Sequence, residues 1–188
     1  MAFLAQLWMP IVLSAVLVFV TSSVIHMVIK WHQSDYRKFA NEDDVRAVIR
    51  AGNAAPGQYI VPHILDTKTM STPEVQKKFT DGPVAFMTLR PPGPPAIGGA
   101  LGQWFAFSLV VALLAAYIAS KTLMQIEGTT FLGVCRVVGT ITFLAYGGGS
   151  VTAGIWMGKP WGSVMKELLD AAIYALVSAL AFGALWPH

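Results

Sequence analysis

Apolar residues run without interruption by charge over the first 29 positions, and the first Lys, Arg, Asp or Glu is Lys30. From Lys30 to Arg90 the polar residues take over. This stretch holds 9 of the 13 basic residues and 7 of the 10 acidic ones. Beyond Arg90 the chain is again nearly free of charge. A charged side chain at the centre of a bilayer costs about 3 kcal/mol or more. The pattern is therefore a sorting by solvent, with flanks suited to hydrocarbon and a middle suited to water. It predicts an all-α integral membrane protein with about four transmembrane helices and a partly helical aqueous loop of about 65 residues between the first and second.

A helix crosses the hydrocarbon with about 20 apolar residues. Four stretches qualify: Leu7–Ile29, Leu101–Ser120, Val137–Met157 and Leu168–Trp186. Trp8, Trp31, Trp104, Trp161 and Trp186 fall near their ends, where a half-wet indole is stable. The chain then divides into a first span (1–30), an aqueous loop (31–96) and a three-helix bundle (97–188). No basic residue precedes the first apolar run and no Ala-x-Ala-like site closes it, so it is expected to be a retained span.

Four spans place both termini on one side, together with Lys121 and Arg136. The loop, Lys159 and Lys166 share the other side. Basic residues favour the loop side by eleven to two. The positive-inside rule thus predicts termini outside and a cytoplasmic 31–96 loop, in a prokaryotic inner membrane.

Small residues at every fourth position let helix backbones approach closely where hydrophobicity gives no drive. The second span carries Ser108, Ala112, Ala116 and Ser120, the third Ser150, Gly154 and Gly158, and the fourth Ala171, Ala175, Ala179 and Gly183. The first span has no such row. Spans two to four are expected to form a tight core, with the first packed peripherally or against another protein. Gly147-Gly148-Gly149-Ser150 in the third span admits two readings: close packing against a bulky neighbour, or a broken helix lining a pathway.

Within the loop, Asn41 followed by Glu42, Asp43 and Asp44 is a helix start, and Gly52 a stop. A second short helix is expected from Thr72-Pro73 to Asp81. Residues 55–63 read as extended and turn-rich, and Val84–Leu89 as an apolar strip lying on the membrane or the bundle. Few apolar residues are available to bury, so the loop is expected to rest on the bundle or on a partner.

The net charge of +3 is accounted for by basic residues flanking spans, and nucleic acid is not an expected partner. The single cysteine, Cys135, lies in an apolar run and reads as a packed residue. His26, His32 and Asp170 are the candidate functional polar residues, because ionisable groups in or beside spans mark functional sites. Six residues separate His26 from His32, which puts them on different faces of a continuous helix. No Cys/His spacing matches a zinc pattern, so no metal or cofactor is expected. Asp170 and Glu167 fit a helix N-terminus near headgroups, and Arg136 belongs at the opposite interface.

No nucleophile elbow, metalloprotease motif or phosphate-binding glycine loop is present. The expected function is that of a non-enzymatic accessory or scaffold subunit of a membrane assembly, contacting the bilayer and another membrane protein or a second copy. Two alternatives stand beside it: a small oligomeric transporter or channel using the Gly147–Ser150 region, and a haem- or metal-binding redox subunit.

Overall fold

The computed structural model describes residues 2–187. It contains four long helices: α1 (Ala2–Ser23), α4 (Ile97–Leu123), α5 (Phe131–Met157) and α6 (Trp161–Ala184). All four are long and apolar enough to cross a membrane. Two short helices, α2 (Glu42–Ala51) and α3 (Pro73–Asp81), and two strands, β1 (Gly57–Val61) and β2 (Ala85–Leu89), lie between α1 and α4. The chain forms two compact units, residues 1–36 with 96–188, and residues 37–95.

In the larger unit the long helices form a ring, in which α1 packs on α4 and α6, and α5 packs on α4 and α6. The small-residue rows face inward on α4 and α6: Ser108, Ala112, Ala116 and Ser120 are buried, as are Ala171, Ala175, Ala179 and Gly183. On α5 the row is less enclosed, with Ser150 and Gly154 half-buried and Gly158 exposed. Gly154 nonetheless packs on α6, where an added Cβ would meet Val164 Cγ2 at 3.2 Å, and Gly147, outside the row, does so too, its added Cβ meeting Leu168 Cδ2 at 3.0 Å and Ala171 Cβ at 3.2 Å. At the far end Gly183 lies against Phe131 and Cys135.

The first helix is not peripheral. Leu7, Ile11, Ser14, Ala15, Val18, Ser22 and Ile25 are buried along a stripe of three- and four-residue steps. Ser14 Oγ donates to Ser178 Oγ across the bundle at 2.9 Å. Such a bond between helices in hydrocarbon contributes about 0.6 kcal/mol. The stripe was missed because it mixes Leu, Ile and Val with Ser and Ala, and so forms no small-xxx-small row. Nor is α5 broken at its glycines: it is helical from Phe131 to Met157, which removes the pathway reading of a helix break.

Helix α6 begins at Trp161, seven residues before the expected Leu168, so that Lys166, Glu167 and Asp170 all stand in its first three turns. Outward faces carry large apolar groups such as Val12, Val20, Leu114, Leu144, Leu176 and Leu180.

In the smaller unit, α2 and α3 occur where their start signals predict. Its strands correct the all-α expectation: β1 and β2 pair antiparallel, Gly57 opposite Leu89 and Val61 opposite Ala85. Residues 85–89 of the apolar strip therefore form a strand. Among the described residues of this unit, Val75 alone is buried.

Candidate functional site

The site is created where α1 ends. The last turn before Lys30 widens into a π-helical turn, Val24–Ile29. Lys30 then adopts a left-handed conformation, φ 59°, and its amide donates to the Ile25 carbonyl at 2.8 Å. A 3-10 turn, Trp31–Asp35, follows at once. This reversal defeats the argument from a continuous helix. His26 and His32 come together with rings stacked at 4.9 Å between centroids and 12° between planes.

The turn docks on α6. His32 Nδ1 lies 2.8 Å from Asp35 Oδ2, and His32 Nε2 lies 2.7 Å from Asp170 Oδ2. A carboxylate faces each ring nitrogen, an arrangement that favours the doubly protonated, charged imidazolium. Burial works against that charge, but the hydrogen bonds that His32 donates to Asp35 and Asp170 outweigh it and raise its pKa above the ordinary value. Lys166 Nζ donates to Asp35 Oδ1 at 2.6 Å, to Ser34 Oγ at 2.7 Å and to the Trp31 carbonyl at 2.9 Å. The Lys166 hydrogen bond, followed by that of His32, holds the Asp35 carboxyl down to about 2.

Glu167, one turn before Asp170, accepts from Lys159 Nζ and Ser150 Oγ, each at 2.5 Å. The charges in this network therefore meet in opposite pairs, which is the condition for holding them away from water. Among the described residues, two buried side-chain polar atoms have no hydrogen-bond partner, Trp31 Nε1 and Asp170 Oδ1.

Two clefts meet at His26 and Glu167. One, of about 290 Å³, is bounded by His26, His32, Asp35, Tyr36, Lys159 and Glu167. The other, of about 370 Å³, runs between Trp104, Phe107, Tyr146 and Tyr174 and reaches Glu167 and Asp170. Its aromatic rings touch one another at 5.3–6.1 Å. Trp104 Nε1 donates to Ser22 Oγ at 2.8 Å, which fixes the ring beside His26.

The three sequence candidates, His26, His32 and Asp170, are thus one cluster. Asp170 is 5% exposed and paired with His32. Asp35, Lys159, Lys166 and Glu167 complete the network, and sequence reasoning missed Asp35, Lys159 and Lys166. The available signal was the concentration of Lys159, Lys166, Glu167 and Asp170 at one end of an otherwise uncharged apolar stretch. His63 is exposed in the 37–95 unit, and Arg136 is exposed on α5 in the turn that packs near Gly183, at the end of α6 away from Asp170. Cys135 donates its thiol to the Ala179 carbonyl at 3.3 Å, a packing contact.

Four long apolar helices in a bundle define the class, a helical protein fit for a membrane. No family model, no curated protein and no solved structure matches the chain.

Proposed function

We propose that the protein is a non-enzymatic integral membrane subunit that associates, through α5, with a transmembrane helix of a partner or of a second copy. The observation that carries this reading is an uncovered small-residue face. Gly148 and Gly149 are exposed, and a Cβ built on either meets nothing within 4 Å. Ala145 and Thr152 stand on the same side, at the four-residue spacing that lets a second backbone approach. The charge tally supports placing the termini outside and the 37–95 unit in the cytoplasm of a prokaryotic inner membrane.

Purification in mild detergent tests the association. Wild type is expected to migrate as an oligomer or with a co-purifying membrane protein, and Gly148→Leu to release it without unfolding the monomer. A lone wild-type monomer that binds nothing overturns the reading. The transporter alternative loses its helix break. The metal-binding alternative gains a specific observation, the convergence of His26, His32 and Asp170.

A further inference from the structure

We infer that His26, His32 and Asp170 form a binding site for one divalent first-row transition-metal ion. One ligand atom from each of the three lies within 4.8 Å of the others. Proximity alone is common among ionisable side chains, and three independent features make this cluster a ligand set.

The first is the state of the two imidazoles. His26 Nδ1–H donates to the Ser22 carbonyl at 2.9 Å, which leaves Nε2 with its lone pair free. His32 Nδ1–H donates to Asp35, which leaves Nε2 as the atom that faces Asp170. Both rings are therefore held by the nitrogen that a metal would not use. A carboxylate behind a ligating histidine fixes the ring and raises its basicity. Asp35 has that position, and Lys166 anchors it in turn.

The second is Asp170 itself. Its residue is 5% exposed and its Oδ1 has no hydrogen-bond partner. A buried carboxylate that meets His32 through one oxygen and leaves the other unpartnered is a group that a cation satisfies. The third is access. The cluster opens onto the cleft that runs past Tyr36 and Lys159, so an ion can enter and a further ligand, water or substrate, can complete the coordination.

Two imidazoles with one carboxylate suit zinc, iron, cobalt, nickel or copper in the divalent state, and suit magnesium or calcium poorly. The absence of a thiolate from the set argues against soft monovalent copper. A metal ion would take His32 at Nε2, the nitrogen that faces Asp170, and leave the Nδ1 contact with Asp35 intact.

Untagged protein, purified in detergent and stripped with chelator, is titrated with Co²⁺ and read by its visible d–d absorption, with Zn²⁺ as competitor. Wild type is expected to take up one Co²⁺ per chain, displaced by Zn²⁺. His26→Gln, at an exposed residue, is expected to weaken uptake at least 10-fold while elution volume and helical circular dichroism stay unchanged. Asp35→Asn is expected to weaken it about 10–100-fold through the ring it orients. The absence of saturable uptake by wild type overturns the site. Uptake unchanged in folded His26→Gln and Asp170→Asn overturns it equally, because it puts the ion elsewhere.

Discussion

His32 Nε2 lies 2.7 Å from Asp170 Oδ2, although 138 positions separate the two residues in the chain. This contact ties the turn after α1 to the third turn of α6. Both partners are largely enclosed, with side-chain exposures of 14% and 7%. Removing one of them strands the other's charge, and that penalty exceeds what the pair contributes as an intact bond.

The first prediction concerns pH. His32 has a raised pKa, so its charge stabilises the metal-free fold fully below 6.5, its ordinary value, and this contribution is lost as pH rises through the folded value. Asp35 behaves oppositely: its contribution is present above its ordinary 3.8 and is lost as pH falls toward about 2. The thermal midpoint of metal-free wild type should therefore exceed that of His32→Gln most clearly near pH 5–6. The gap should narrow by pH 9, as measured by circular dichroism in detergent. A gap that widens with pH would show that the ring is held neutral.

Metal affinity should run the other way. A proton on His32 competes with the ion, so Co²⁺ or Zn²⁺ uptake is expected to strengthen from pH 6 to pH 8. Calorimetry in two buffers of different ionisation heat counts the proton released. Pairing His32→Gln with the same titration should abolish both the uptake and its pH dependence.

Neighbouring glycines on α5 should respond differently to the same change. Gly147→Ala pushes a methyl to within 3.2 Å of Ala171 Cβ, whose backbone attachment leaves it little room to yield. Overpacking of this kind costs about 1–3 kcal/mol, against a helix gain of at most about 1 kcal/mol. Within one chain Gly148→Ala meets open space, so in the dissociated monomer it retains only the gain. Thermal melts should show Gly147→Ala lowered and Gly148→Ala unchanged or raised.

Topology is open to chemical labelling. In a Cys135→Ser background, Lys77→Cys in the 37–95 unit should resist a membrane-impermeant maleimide in intact cells and react after lysis. Labelling of intact cells would invert the orientation inferred from the basic residues.

The four helices were legible because each is a long apolar run, a signal that survives without tertiary context. Their ends were less so. Lys166 reads as a turn residue and Glu167 as a helix start, yet both sit inside α6, where Asp35, Lys159 and Ser150 satisfy them. His26, His32 and Asp170 were each visible as ionisable groups in or beside apolar runs, but their meeting was not. It depends on a helix reversal at Lys30, a residue type that gives no turn signal, where φ is positive without glycine. The β1–β2 ribbon escaped for a related reason. Its strands pair across α3 and the turns beside it, and a two-stranded sheet of this size draws its stability from its surroundings.

A double-mutant cycle on His32→Gln and Asp170→Asn tests the central geometry most directly, with stability measured by thermal unfolding of metal-free protein near pH 6. Each single change is expected to cost about 2–4 kcal/mol, and the double variant clearly less than their sum, with a coupling of at least about 1 kcal/mol. Additive losses would mean that the two side chains do not meet, and the site built on their contact would fall with them.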